Sequence, residues 1–218
     1  MKLQKTNSKI YKIDGVGVNF SSFHAVSQEE KSKLRTELGY DNKDFIITVV
    51  AELNKNKNQL MLVKCVPELK NVIPNLKILL IGKETLPLVR DFVLSENLND
   101  TVKLLGYRND VNKLTMISDL AFSASLREGL PVNIIEAMAC GIPVVASDNR
   151  GHRSLIKNME TGFIFSPKSK KEMLDAIILL YKNPLFRREL GARSIEEAKK
   201  YSVDISVNSM AGIYKKVM

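Results

Sequence analysis

The sequence predicts an α/β fold: a Rossmann-like parallel sheet with helices on both faces and extra helices at its carboxyl end. Short β-branched apolar runs alternate with stretches of helical spacing along most of the chain, which is the pattern of a parallel sheet covered by helices. Such an order is built from right-handed βαβ units, and ligands of these sheets bind beyond the carboxyl ends of the strands. The length, 218 residues, suits one generous domain better than two.

In chain order, strands are expected at 45–51, 76–81, 102–105, 120–123, 142–147 and 162–165, with helices at 59–71, 84–96, 111–117, 132–140 and 169–181. Residues 1–24 read as a leading segment whose Gly15 and Gly17 mark a loop. Ser27 followed by Glu30 forms a capping box for a helix running to about Leu38. The sheet domain is expected over 25–201, closing on a helix at 184–200. A last helix, 203–217 within a 202–218 tail, contains Gly212 and calls for a docking surface.

Composition excludes several classes. At 44% hydrophobic and 26% charged residues the chain is ordinary globular material, and no apolar run approaches the roughly 20 residues of a membrane span. Residues 1–12 alternate Lys with polar residues and lack the apolar stretch of a signal peptide, so a cytoplasmic protein is expected. Cys65 and Cys140 sit in apolar contexts without metal spacing and read as reduced core residues. The net charge of +9 raises the question of an anionic partner, but the basic residues are scattered and there is no Trp to stack on bases. Solvated helix faces explain most of that charge, and no nucleic acid is expected.

The chemistry lies in residues 125–147, SLREGLPVNIIEAMACGIPVVAS, between two expected strands. Gly129 gives the backbone freedom to turn, and Pro131 suits a first helical position. Amides near Leu130, Val132 and Asn133 would then face the carboxyl edge of the sheet at a positive helix end, a site for a diphosphate. Glu128 precedes the helix and Glu136 lies within it, so the two carboxylates could grip different parts of one ligand: a sugar ring and the vicinal hydroxyls of a ribose. Ala137, Ala139 and Gly141 are small enough to let the helix lie on the sheet, and Gly141 suits a left-handed helix end before Pro143. The plainer alternative is a capped core helix with no ligand.

The run from Glu128-Gly129-Leu130-Pro131 through Glu136-Ala137-Met138-Ala139-Cys140-Gly141-Ile142-Pro143 resembles the Glu-x7-Glu motif of glycosyltransferase family 4, retaining enzymes of the GT-B fold. Gly15-Val16-Gly17-Val18 with Phe20 resembles the family's interdomain linker. Residues 110–123, and Gly151, Ile156 and Thr161-Gly162-Phe163, resemble the elements on either side of the motif. The resemblance implies one half of a GT-B enzyme: a donor-binding domain that takes a nucleoside-diphosphate sugar and is inactive without an N-terminal domain for the acceptor. It further implies work in cell-surface polysaccharide synthesis, such as capsule. A lipid-linked acceptor would hold the enzyme at the inner membrane surface.

Carried onto this chain, the resemblance makes Glu128 the catalytic carboxylate that orients the sugar and stabilises the cationic ring, and Glu136 the ribose ligand. Family members hold the diphosphate with an Arg and a Lys five positions apart; here those positions are Glu52 and Lys57. Lys57 fits. Glu52 does not, because two like charges about 4 Å apart repel by about 4 kcal/mol even at an effective dielectric of 20. Either Glu52 turns away, or Lys55 neutralises it and takes over the arginine's role. Tyr107 and Arg108 occupy the place where the family's base packs against main chain. Asn149 to His152 read as a loop, with His152 structural or facing solvent. No Asp-x-Asp or His cluster is present, so neither metal nor cofactor is expected. The rivals are a nucleotide-sugar epimerase of similar fold and a non-catalytic module that binds nucleotide or nucleic acid.

Overall fold

The computed structural model describes residues 10, 11, 13, 15 and 17–217. The reading of residues 1–9, Lys12 and Val16 falls outside them. Six strands, β1 Phe45–Val50, β2 Leu76–Ile81, β3 Val102–Gly106, β4 Leu120–Ser123, β5 Val144–Ser147 and β6 Gly162–Phe165, form one sheet in the order β3-β2-β1-β4-β5-β6. Every neighbouring pair is parallel. The chain winds outward from β1 to β3, then returns to lay β4 on the other side of β1. Adjacent loops therefore diverge at the carboxyl ends of β1 and β4 and leave a crevice there, the usual ligand position in such sheets.

Helices cover both faces. The predicted capping box holds in its first half: the Glu30 amide donates to Ser27 Oγ at 3.1 Å and opens α1, Gln28–Glu37. On one face Ile47, Val49 and Leu80 pack with Leu62, Val66 and Leu69; on the other, Ile46, Leu79 and Ile81 pack with Leu114 and Ile117. Beyond β4, Val144 and Ala146 pack against Ile135 and Met138 of the motif helix. Strands buried on both faces have to be almost wholly apolar, which is why they read as continuous runs.

Three expectations are corrected. The helix predicted at 59–71 is two pieces, α2 Leu60–Val63 and α3 Val66–Lys70, with Cys65 between them. Pro67 lies in the first turn of α3, where its missing N–H costs nothing, and it disfavours a continuous helix running through Val66. The helix predicted at 84–96 begins only at Leu88, as α4 Leu88–Ser95, because Pro87 serves as its N-cap. The loop expected at 149–152 is instead the start of a helix, α7 Arg150–Leu155.

The remaining helices are α5 Val111–Met116, α6 Val132–Ala139, α8 Lys170–Lys182, α9 Pro184–Ala198 and α10 Val203–Val217. α6 ends as predicted, with Gly141 at φ +68. A Cβ on Gly191 of α9 would stand 2.1 Å from the Gly141 carbonyl, so α9 seats directly on that helix end. α10 buries none of its residues and leaves Ile205, Val207 and Tyr214 exposed. Its first turn is tied to the leading segment, since the Val18 amide donates to Tyr201 O (2.8 Å) and the Val203 amide to Val18 O (2.9 Å). Among the described residues no helix is long and apolar enough to cross a membrane. Both cysteines are free and buried, and burial with the nearby Glu136 carboxylate pushes the Cys140 thiol up to about 12.

Candidate functional site

The loops that follow β1 and β4 are stitched together across the crevice. The Leu126 amide donates to Asn56 O (2.8 Å), and Asn56 Nδ2 donates to Arg127 O (3.1 Å). Within the first loop the Lys57 amide donates to Asn54 Oδ1 (3.0 Å). This stitching brings Lys57 Nζ to 2.6 Å from Glu128 Oε1. Two residues 71 apart in sequence, expected to hold the diphosphate and the sugar, here neutralise each other.

Beside that pair starts α6. Pro131, expected at the first helical position, is instead the N-cap, one place earlier, and no side chain caps the helix. The first-turn amides, those of Val132 and Asn133 among them, have no acceptor within the helix, so a positive helix end is open to an anion. The Asn133 side chain is spent elsewhere, donating to Val50 O at 2.8 Å and fixing α6 to the end of β1. Leu130 packs with the motif helix, and its side chain lies so close to Gly15 that a Cβ there would come within 2.6 Å.

The glycine that matters sterically is not Gly129. A Cβ on Gly129 would meet nothing within 4 Å, whereas one on Gly151 would stand 2.7 Å from Glu128 Cβ and 2.8 Å from the Glu128 carbonyl. α7 thus presses its first turn directly under the Glu128 backbone. Gly129 lies in the bend that leads to α6 and leaves open space beside it.

Behind Gly151 lies a buried polar network that sequence reasoning missed. Ser147 Oγ and Asn149 Nδ2 both donate to Ser125 O, at 2.6 and 2.9 Å. Asn149 Oδ1 caps α7 by accepting from the His152 amide at 3.0 Å. His152 Nδ1 lies 2.6 Å from the Ser147 carbonyl and 2.8 Å from Asn149 Nδ2. The carbonyl is the closer of the two and Asn149 Nδ2 already donates to Ser125 O, so the arrangement favours a proton on Nδ1 and a lone pair on Nε2. That Nε2 is buried and has no partner. His152 is 0% exposed, so of the two expected readings, structural and solvent-facing, the structural one holds, on a helix and not on a loop. Burial pulls its pKa down, against the upward pull of the Ser147 carbonyl and of Glu128. An Asx cap three residues before a histidine was the available signal.

Glu136 lies five residues into α6, half-buried, and burial pushes its carboxyl up to about 7. Glu52 is exposed, with Asn54 Nδ2 3.5 Å from its carboxylate, and Lys55 is exposed too. Glu52 therefore extends into solvent and Lys55 makes no ion pair with it. Tyr107 is 81% exposed at the mouth of a cleft of about 540 Å³ that also touches Leu53, Gly82, Lys83 and Gly106. Arg108 is engaged with Asp110 through two bonds of 2.8 and 2.6 Å, leaving its backbone as the part free to meet a ligand. Among the described residues no three His, Cys, Asp or Glu side chains gather as a metal site.

Comparison with known proteins identifies the family and the fold. The model of the family described as "Glycosyl transferases group 1" matches residues 30–201. EpsD of Bacillus subtilis (strain 168), named as a glycosyltransferase, is 35% identical over 99% of this chain and 57% of its own length. An N,N'-diacetylbacillosaminyl-diphospho-undecaprenol alpha-1,3-N-acetylgalactosaminyltransferase of Campylobacter jejuni is 28% identical over 97% of this chain and 55% of its own. The chain thus spans about half the length of these relatives. Among solved structures, Anabaena Alr3699/HepE in complex with UDP and glucose superposes with a TM-score of 0.82 at 24% identity, covering 92% of this chain and 55% of that one. The isolated C-terminal domain of LpcC from Francisella tularensis gives 0.75 at 20% identity, covering 86% of this chain and all of that one.

Proposed function

From a chain that belongs to the group 1 glycosyl transferases and has the fold of a GT-B C-terminal domain, we propose the donor-binding half of a retaining, family 4 type glycosyltransferase, acting on a nucleoside-diphosphate sugar. The observation that carries this reading is the meeting of Lys57, Glu128 and the uncapped start of α6 at the crevice between β1 and β4. A diphosphate there exchanges a carboxylate for itself as the partner of Lys57 and accepts from amides that have no other acceptor.

In this reading the leaving diphosphate is stabilised by Lys57 and by preorganised amides, which is ordinarily the largest contribution to such a step. No metal is invoked. Glu128, released from Lys57, faces the sugar. Glu136 accepts from the ribose hydroxyls, an exchange of burial cost for hydrogen bonds. The cleft beside Tyr107 takes the base against main chain, with Gly82 and Gly106 among its lining residues. UDP is the nucleotide we favour, because the structure of Anabaena Alr3699/HepE, similar in fold, holds UDP.

The acceptor belongs to a preceding domain. The share of the relatives' length that this chain leaves uncovered supports this, as does the unburied face of α10. The Campylobacter relative's name points to a diphospho-undecaprenol acceptor, and by that likeness we propose a lipid-linked acceptor, surface polysaccharide synthesis and peripheral contact with the cytoplasmic face of the membrane. Calorimetric titration of this chain with UDP and with GDP tests the donor site. Saturable binding of one of them, in the micromolar to millimolar range of about −8 to −4 kcal/mol, is expected. If neither binds saturably, the reading fails.

A further inference from the structure

The donor-site reading leaves one group unexplained, the imidazole of His152. It is wholly buried, its Nδ1–H is fixed on Ser147 O, and its Nε2 lone pair has no partner. It belongs to the turn that supports Glu128, since the preceding residue, Gly151, lies against the Glu128 backbone. The charged groups that act on it are Glu128, Lys57 and Asp148. Asp148 is engaged with Arg153, so the balance at the imidazole turns on the other two.

In the free chain Glu128 is neutralised by Lys57 at 2.6 Å. A diphosphate bound at α6 competes for that ammonium, and a half-buried carboxylate deprived of its cation favours a new positive charge beside it. Glu128 favours a proton on the imidazole behind it and Lys57 opposes one, so drawing Lys57 away favours a cation there. Resting on the donor-site reading, we infer that His152 is a positioning residue for Glu128: its Nε2 takes a proton from solvent and replaces Lys57 as the carboxylate's cationic partner once diphosphate draws Lys57 away. Glu128 would then keep its charge and its orientation toward the sugar throughout turnover.

The chain has two histidines, His24 and His152. ¹⁵N imidazole spectra of the whole chain, with a His24→Gln variant for assignment, follow His152 through a pH titration. Free, it should remain the Nδ1–H tautomer until acid pH. With saturating UDP, the ratio of charged to neutral His152 at a fixed pH near its midpoint should rise roughly tenfold, the response to an opposite charge no longer screened by a neighbour. Lys57→Met should produce the same rise without nucleotide, and Glu128→Gln should abolish it in both settings. UDP binding that leaves the His152 titration unmoved overturns this inference and spares the donor site. Absence of UDP binding sinks the donor site, while the Lys57→Met spectra still decide the role of His152. If a variant does not fold, the wild-type chain with and without UDP supplies the same decision.

Discussion

The two edges of the sheet handle charge in opposite ways. At the amino edge, Asp119 accepts from Lys31 (3.1 Å), Arg35 (2.7 Å) and the Ile46 amide (2.9 Å), with Arg187 at 3.8 Å. Arg35 spends its remaining donors on the carbonyls of Ile117, Asn42 and Asp44. Burial opposes ionisation of Asp119, yet the surrounding cations hold its carboxyl below the usual range. At the carboxyl edge the charges are undersupplied: one cation for Glu128 and, among the described residues, no charged partner for Glu136 and no partner for the His152 Nε2. The saturated edge staples α1, β1, β4 and α9 together. The undersupplied edge has binding capacity left over for a ligand, which is what separates a structural cluster from a site.

The sharpest way to break this contrast is Asp119→Ala. Removing the shared carboxylate strands buried cations and should cost about 3–5 kcal/mol in urea unfolding. Because its folded pKa is depressed, the same stability is present above the ordinary carboxylate range and is lost as pH falls through the folded value. An Asp119→Ala chain as stable as wild type would remove the structural half of the comparison.

Lys57→Met probes the other half. UDP affinity should fall about tenfold to a hundredfold, or roughly 1.5–3 kcal/mol for a charged contact, while unfolding changes by less than about 1 kcal/mol. A stability loss larger than the affinity loss would make the Lys57–Glu128 pair a staple like those at the amino edge.

The smallest effect belongs to Glu136→Gln. The raised carboxyl favours the folded state below its ordinary value of 4.5, and that advantage disappears as pH rises through about 7. Above that range the charged form is a burden, so the variant should be stabilised by about 1 kcal/mol near pH 8, allowing for solvent screening, and unchanged near pH 4. Its UDP affinity should nevertheless drop, because a carboxamide accepts from one oxygen where the carboxylate offers two. Equal UDP binding would remove the ribose role.

Much of this was legible in the residues themselves. The alternation of β-branched runs with helical spacing anticipated all six strands, and local chemistry marked the Ser27 cap and the left-handed Gly141, since each depends on residues within a few positions. Reading failed where a signal was local but overridden: apolar spacing over 59–71 looks continuous, yet Pro67 divides it. At 149–152 the polar residues that suggested a loop were in fact capping a helix. Glu128, Lys57 and Glu136 could be named as candidates, but nothing in the sequence said that Lys57 would hold Glu128 in the free chain, or that His152 would be buried behind it.

By itself, then, the sequence determined the six strands, most of the helices between them, and which short stretch carries acids beside an open helix end. Those properties follow from backbone preferences and from side chains close along the chain. The tertiary structure alone decided which charges find partners: Arg35 with Asp119 across 84 positions, Lys57 with Glu128 across 71, and Gly151 pressed beneath Glu128. The reason is physical. Whether a charge is satisfied depends on burial and on groups brought near by the winding of the sheet, and neither is written in the spacing of neighbouring residues.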